Sequence, residues 1–120
     1  MGQREYTRSQ RIASQLREEL SELIRIELKD SRLSWVTVDE VEVSRDLQVA
    51  KVYVSSLKEE QLEESLKALK AAAPFLRHEL GKRLHVRVVP ELRFYRDTAI
   101  EHGLKITQLL RQIKNDADES

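Results

Sequence analysis

The sequence predicts a single α+β domain in which three strands form a small sheet and the helices pack mainly on one of its faces. Apolar residues follow a helical period in four segments and alternate along β-branched runs in three others. Their order is helix, strand, strand, helix, helix, strand, helix. The 120 residues are the length of one domain, and no repeat or low-complexity linker divides them. We assign residues 1–114 to this domain and residues 115–120 to a flexible acidic tail.

Residues 7–29 predict a long amphipathic first helix. Thr7 or Ser9 can cap its start, because each carries a side-chain oxygen for the first unpaired backbone N–H groups. The polar turn at residues 29–31 ends it. The apolar positions form one stripe at a spacing of three to four residues: Ile12, Leu16, Leu20, Leu23, Ile24 and Leu28.

A β-hairpin is predicted next, from strands at residues 35–43 and 47–56 with a short turn at residues 44–46. The alternation of the first strand changes phase, which predicts a bulge near Asp39 and Glu40. In the second strand one face carries Ala50, Val52 and Val54, and the other carries Val49, Lys51 and Tyr53.

Residues 59–73 return to a helical period, and Pro74 follows them. Proline has no backbone N–H and clashes with the preceding turn, although it is tolerated as the first residue of a helix. The sequence therefore predicts a break at Pro74 and a second helix over residues 74–84, with Phe75 in the core.

Residues 86–94 predict the third strand, with Pro90 marking an edge or a distortion. Asp97 or Thr98 can cap a last helix. The strand residues expected to share the core face are Val86, Val88, Leu92 and Phe94.

The composition indicates the cellular compartment in which we expect the protein. There is no cysteine, so disulfide and thiolate chemistry are excluded, as is usual in a reducing cytosol. No stretch has the apolar run of a signal peptide or a membrane helix. We expect a cytoplasmic protein that does not associate with a membrane.

Charge is unevenly distributed, although the 21 basic residues balance the 21 acidic ones. Residues 30–66 hold four basic and nine acidic residues, whereas residues 67–96 hold eight basic and two acidic ones. The chain is therefore polarised, which is how a neutral protein can still present a surface to nucleic acid.

Catalytic chemistry finds little support. His78, His85 and His102 do not have the spacing of metal ligands on one helical turn, and there is no cysteine to join them. Glycine-rich phosphate loops and nucleophile signatures are also missing. We expect no catalytic residues, no metal and no cofactor.

The basic segment 67–96 instead predicts contacts with RNA phosphates. For Lys67 and Lys70 taken alone, an ordinary solvated helix face explains the charge equally well. Aromatic residues are sparse and show no ladder of exposed rings, so recognition of RNA shape and backbone is favoured over base stacking, and Trp35 is expected to pack. The candidate RNA-binding residues are Lys70, Arg77, Lys82, Arg83 and Arg87, with Arg4, Arg8 and Arg11 as a second patch.

An ordered set of segments resembles the ribosome-binding factor A family, from about Arg4 to about Leu110. No single motif is diagnostic, but the set is specific as a whole. The segments are Arg8–Ile12, Leu20–Ile24, Glu27–Leu33, Val36–Val38, Val43–Leu47, Ala50–Ser55, Phe75–Arg77 and Pro90–Asp97.

This resemblance implies a type II KH-like fold, in agreement with the element order. It implies a bacterial factor that binds the free 30S small ribosomal subunit and assists late maturation and 5′-end processing of 16S rRNA, without catalysis or cofactor. A ribosome assembly GTPase is a further expected partner, and we expect a monomer.

One departure from the family concerns the kink between the two middle helices. The family usually has Ala-x-Gly there, whereas this chain has Ala72, Ala73 and Pro74. Both glycine and proline break helices, so the kink is expected to survive. Because proline lacks a backbone donor, we place RNA binding on side-chain cations.

Two other functions remain open at this point. The acidic surface of residues 30–66 could make the chain a protein-interaction module, with the basic segment merely solvated. A small hydrolase or nuclease that acts on rRNA ends is the third hypothesis, and the lack of a metal cluster argues against it.

Overall fold

The computed structural model describes residues 7–97, and it confirms the α+β class. The elements in chain order are α1 at Arg8–Ile26, a 3₁₀ turn at Ser31–Leu33, β1 at Val36–Val43, β2 at Val49–Ser56, a 3₁₀ turn at Glu59–Gln61, α2 at Leu62–Arg83 and β3 at Glu91–Arg96. The predicted last helix, its cap at Thr98, and the acidic tail lie outside the described residues.

Helix α1 begins with a capping box at Thr7. The Thr7 hydroxyl oxygen accepts from the backbone N–H of Gln10 at 3.2 Å, and the Gln10 side chain accepts from the backbone N–H of Thr7 at 2.9 Å. The helix ends at Ile26 rather than at residue 29, because the N–H groups of Glu27 and Leu28 both donate to the Leu23 carbonyl and close the last turn. Its buried side chains follow the predicted stripe.

The hairpin is antiparallel, and its bulge lies where the phase change predicted it. Val38 pairs with Val54 but Glu40 pairs with Tyr53, so Asp39 is the extra residue. The bulge lets Val38 and Val41, three positions apart, both face the core. Strand β2 begins later than predicted, because Leu47 adopts a positive φ of 63° in the turn.

Helix α2 runs through Pro74, so the predicted break into two helices is wrong. Pro74 is exposed, on the side of the helix that faces away from the core, so its ring displaces no core side chain. Leu69 before it and Leu76 after it are both fully buried in one core. Packing on both sides of the proline therefore holds one helix together despite the missing hydrogen bond.

Strand β3 occupies residues 91–96, so the prediction of a strand over residues 86–94 is also wrong at its start. Val88 is 62% exposed and Val86 is only partly buried, so neither shares the core position of Leu92. Pro90 cannot donate to a ladder, and strand pairing begins directly after it, where the Glu91 N–H donates to the Gln48 carbonyl at 2.8 Å.

The sheet has the order β1-β2-β3, with β3 parallel to β2. Both α1 and α2 pack on the face that carries the buried residues of the strands, so that among the described residues no helix lies on the other, outward face. This is the type II KH-like α+β arrangement that was expected, with one middle helix instead of two. Within residues 7–97, no helix is long and apolar enough to cross a membrane.

Candidate nucleic-acid interface

The exposed face of α2 changes sign along the helix. Glu63 and Glu64 stand in its first turn, whereas Lys67, Lys70 and Lys82 follow towards its C-terminal end. This order also complements the helix macrodipole, which favours anions at the N-terminus and cations at the C-terminus. The charge distribution thus stabilises the helix and at the same time produces a cationic surface at one end.

The segment that connects α2 to β3 extends this cationic surface. The Arg77 guanidinium donates to the Val89 carbonyl at 2.7 Å and so fixes the segment beside the helix. Gly81 faces the same segment, since a Cβ built on it would lie 3.7 Å from Val89 Cγ2, an ordinary contact. The exposed basic residues and histidines of the helix end and of this segment are His78, Lys82, His85 and Arg87.

Four predicted candidates on this surface differ in their surroundings. Lys70 and Arg87 are exposed. Lys82 is exposed and lies 3.3 Å from the Glu79 carboxylate, one turn earlier. Arg77 uses one of its five N–H groups for the Val89 carbonyl and keeps an exposed side chain. Exposed pairs of this kind are weak, so Lys82 can exchange its partner for a phosphate.

Arg83 belongs to a different environment. Its guanidinium lies 3.0 Å from a Glu19 carboxylate oxygen and 2.9 Å from one of Glu22, both on α1. Arg83 donates these hydrogen bonds, and the one to Glu19 first, then the one to Glu22, raise the pKa of Arg83 above its ordinary value. Two carboxylates would compete with any phosphate for this side chain, so the structure does not group Arg83 with Lys70 and Lys82.

The residues of the expected kink lie in the middle of α2. Ala72 and Ala73 pack against the core, whereas Pro74 is exposed. Phe75 is 41% exposed, so the prediction that it belongs to the core is wrong. Leu76 takes the core position instead, and one residue in a helix turns the side chain by about 100°.

The second predicted patch begins α1. Arg8 and Arg11 are exposed in its first turns, which contain no acidic residue, while Arg4 lies outside the described part of the chain. Cations at a helix N-terminus oppose the macrodipole. Arg8 is also roughly 16 Å along the helix axis from Glu19, at 1.5 Å per residue. The patch is therefore not explained by stabilisation of α1.

Two aromatic residues that the sequence did not single out come together on the outward face of the sheet. Tyr53 of β2 is the register partner of Tyr95 of β3, and their ring centroids are 5.8 Å apart at an interplanar angle of 31°. Burial first, and then the charge of Glu42, raise the pKa of Tyr53. Both tyrosines alternate with buried residues along their strands, and this alternation in the sequence indicates that each faces away from the core. Their pairing, in contrast, depends on the parallel register of β2 and β3.

Trp35 is 43% exposed, so the expectation that it packs is only partly met. The Lys58 ammonium lies 5.0 Å from the centroid of its ring, a cation–π distance. The neighbouring Leu57, whose N–H donates to the Trp35 carbonyl, is 81% exposed.

No group of three or more histidine, aspartate or glutamate side chains that could hold a metal is found among residues 7–97. His78 and His85 lie on the cationic surface and not in a cluster of carboxylates. The described region can therefore bind anions through side-chain cations and can stack a planar ligand on its tyrosine rings.

Comparison with known proteins gives the family of this arrangement. The family model described as ribosome-binding factor A matches residues 8–110. A protein of this name from Desulfitobacterium hafniense is 53% identical over 113 residues, which are 93% of this chain and 90% of that protein. The protein of the same name from Aromatoleum aromaticum is 47% identical over 116 residues, or 96% and 91% of the two chains.

Two structural comparisons agree with the sequence comparisons. The crystal structure of ribosome-binding factor A from Thermus thermophilus superposes with a TM-score of 0.70 at 36% identity, covering 76% of this chain and 97% of that one. A Thermus thermophilus homology model fitted into the cryo-EM map of a 30S complex gives a TM-score of 0.61 at 38% identity, covering 69% and 88%.

Proposed function

The chain belongs to the ribosome-binding factor A family, and on that premise we propose that it is a non-catalytic assembly factor that binds the free 30S small ribosomal subunit. The observation that carries this proposal is the similarity, at 38% identity, to a relative whose coordinates were fitted into a 30S complex. The described residues add a cationic surface of the kind that binds RNA phosphates.

We place the RNA contacts on the C-terminal half of α2 and the segment that follows it. Lys70, Arg77, Lys82 and Arg87 supply exposed cations there, and releasing counterions from the RNA would drive their binding. Arg8 and Arg11 form the second patch, which Arg4 would extend. Arg83 is omitted from this set, because Glu19 and Glu22 already hold it.

The mechanism we propose is a population shift. Binding energy from the cationic surface would favour one arrangement of 16S rRNA over others, and a ligand shifts an equilibrium by its differential affinity for the two states. Such a shift would assist late maturation and 5′-end processing of 16S rRNA without catalysis or cofactor. A monomer in the cytoplasm, with a ribosome assembly GTPase as a further partner, completes the proposal.

A charge reversal tests the surface. The double variant Lys82→Glu with Arg87→Glu is compared with wild type by cosedimentation with purified 30S subunits over a range of salt concentrations. We expect weaker binding and a salt dependence whose slope falls by about one for each lost phosphate contact. Lys29→Glu with Arg45→Glu, which changes net charge equally at exposed sites elsewhere, serves as the matched control.

Equal affinities and slopes for wild type and both double variants would remove this surface from the proposal. Cosedimentation of wild type with 50S subunits as strongly as with 30S subunits would contradict the proposed target. The processing role has its own test, since precursor 16S rRNA 5′ ends should accumulate in cells in which only the Lys82→Glu/Arg87→Glu protein is present.

A protein-interaction role for the acidic surface of residues 30–66 is the second candidate. The exposed Trp35 and Leu57 favour it, because exposed tryptophan is enriched at protein interfaces. Copurification of a protein partner that survives nuclease treatment and is lost in Trp35→Ala would support this candidate. Copurification abolished by nuclease would contradict it.

A further inference from the structure

The outward face of the sheet carries two rings and two cations in adjoining rows. Tyr53 and Tyr95 are register partners on the parallel strands β2 and β3, and Lys51 and Arg93 are partners one row away on the same face. Tyr95 is 39% exposed, and Lys51 and Arg93 are exposed as well. Within residues 7–97, neither α1 nor α2 covers this face, because both pack on its opposite side.

The spacing of these rows matches the size of a nucleotide. Residues two apart on a strand are separated by about 6.6 Å along it, and neighbouring strands lie about 4.8 Å apart. A base resting on the tyrosine row would therefore place its own phosphate near the row of Lys51 and Arg93. Rings on an open sheet with cations beside them are the components that proteins use to bind unpaired bases.

Three carboxylates border these two rows. Glu91 lies on β3, and Glu40 and Glu42 are the register partners of Tyr53 and Lys51 on β1. Glu91 pairs with Arg93 at 3.1 Å, but both side chains are about half exposed, and such surface pairs contribute little. Arg93 can therefore exchange Glu91 for a phosphate. Glu42 accepts a long hydrogen bond of 3.4 Å from the Tyr53 hydroxyl. A carboxylate at the edge of a stacking surface can accept from an exocyclic amino group, such as that of cytosine.

We propose that the outer face of the sheet is a binding site for an unpaired nucleotide of RNA, whose base stacks on Tyr95 and Tyr53 and whose phosphate lies at Lys51 and Arg93. This site is separate from the cationic surface of α2, and its biological use rests on the proposed binding to 30S subunits. RNA is favoured over a protein partner because the rings and the cations follow one another at the spacing of base and phosphate.

The test uses fluorescence anisotropy with a labelled cytidine tetranucleotide and the full chain. Tyr95→Leu should weaken binding about tenfold or more, because the base loses the aromatic side chain on which it stacks. Tyr95→Phe keeps the ring and should bind within about twofold of wild type. Lys51→Ala should weaken binding and lower the salt dependence. Trp35→Leu, which removes an exposed ring elsewhere, is the matched control.

Several outcomes would overturn the site. One is equal affinity of Tyr95→Leu and wild type, when circular dichroism shows both to be folded. Another is a wild-type protein that does not bind the oligonucleotide. A third is a Tyr95→Leu variant that still binds the oligonucleotide but no longer copurifies with a protein partner that wild type retains after nuclease treatment. That result would assign the face to protein binding.

The stacking site and the proposed binding to 30S subunits can be contradicted independently of each other. Cosedimentation with 30S subunits together with no binding to the oligonucleotide overturns the stacking site alone. Binding to the oligonucleotide without any cosedimentation supports the site and contradicts the proposed function.

Discussion

The guanidinium of Arg83 joins the last turn of α2 to Glu19 in the middle of α1, at a distance of 3.0 Å between Nη1 and Oε1. Glu22, one turn further along α1, binds the same Nη1 at 2.9 Å. One side chain thus connects the only two α-helices among residues 7–97, and it does so at the edge of the cationic surface.

Arg83→Ala should therefore lower stability more than the removal of a neighbouring cation. We expect a fall of a few degrees in Tm, because two charge-assisted hydrogen bonds are lost, and a smaller fall for Arg83→Lys, which cannot bind both carboxylates in the same planar geometry. Thermal unfolding followed by circular dichroism measures this effect. Lys82→Ala is the control, and an equal change in both alanine variants would contradict the role assigned to Arg83.

Pro74→Ala should stabilise the protein. Proline is about 3 kcal/mol less favourable than alanine inside a helix, and the exposed position of Pro74 leaves room for the substitution. We expect the free energy of unfolding in urea to rise by about 1 to 3 kcal/mol. His78→Ala, on the same exposed face, should change it little. A decrease for Pro74→Ala would mean that the proline sets a bend on which the buried leucines depend.

Ser65→Ala should destabilise the protein, although it removes only one oxygen. Ser65 is fully buried, and its hydroxyl lies within hydrogen-bond distance of the carbonyl groups of Arg32 and Gln61. The first of these contacts ties α2 to the 3₁₀ turn before β1. Losing it should cost about 1 to 2 kcal/mol in urea unfolding. Ser21→Ala, at an exposed position, should stay within about 0.5 kcal/mol of wild type.

Asp30 should titrate well below an ordinary aspartate. The Arg32 side chain first, and then the Arg32 backbone N–H, lower the pKa of Asp30 from 3.8 to about 2. Because the folded-state pKa is depressed, the ionised carboxylate contributes stability at pH above about 4. That contribution is lost as the pH falls from 3.8 towards 2.

Carboxyl ¹³C shifts measured by NMR against pH give this pKa directly. Arg32→Ala should return the pKa of Asp30 towards 3.8. The pKa of Asp46, which the Ser44 hydroxyl and then the Gln48 N–H lower, should not change in that variant. A value near 3.8 for Asp30 in the wild type would contradict the capping geometry.

The features that the sequence predicts correctly depend on interactions between neighbours in the chain. The stripe of α1 and the Thr7 cap follow from spacing and from side-chain oxygen chemistry within a few residues. The bulge at Asp39 follows from a phase change inside one strand. The exposure of Lys70, Lys82 and Arg87 was also predictable, because charged residues are rarely buried.

By itself, the sequence determined the α+β class, the register shift in the hairpin and the cationic end of α2. Each of these results from interactions between residues close in the chain. Only the tertiary structure decided that α2 continues through Pro74, since the core on both sides of the proline outweighs its local cost. Only the tertiary structure assigned Arg83 to α1 and paired Tyr53 with Tyr95, because contacts over more than forty residues depend on how helices and strands pack.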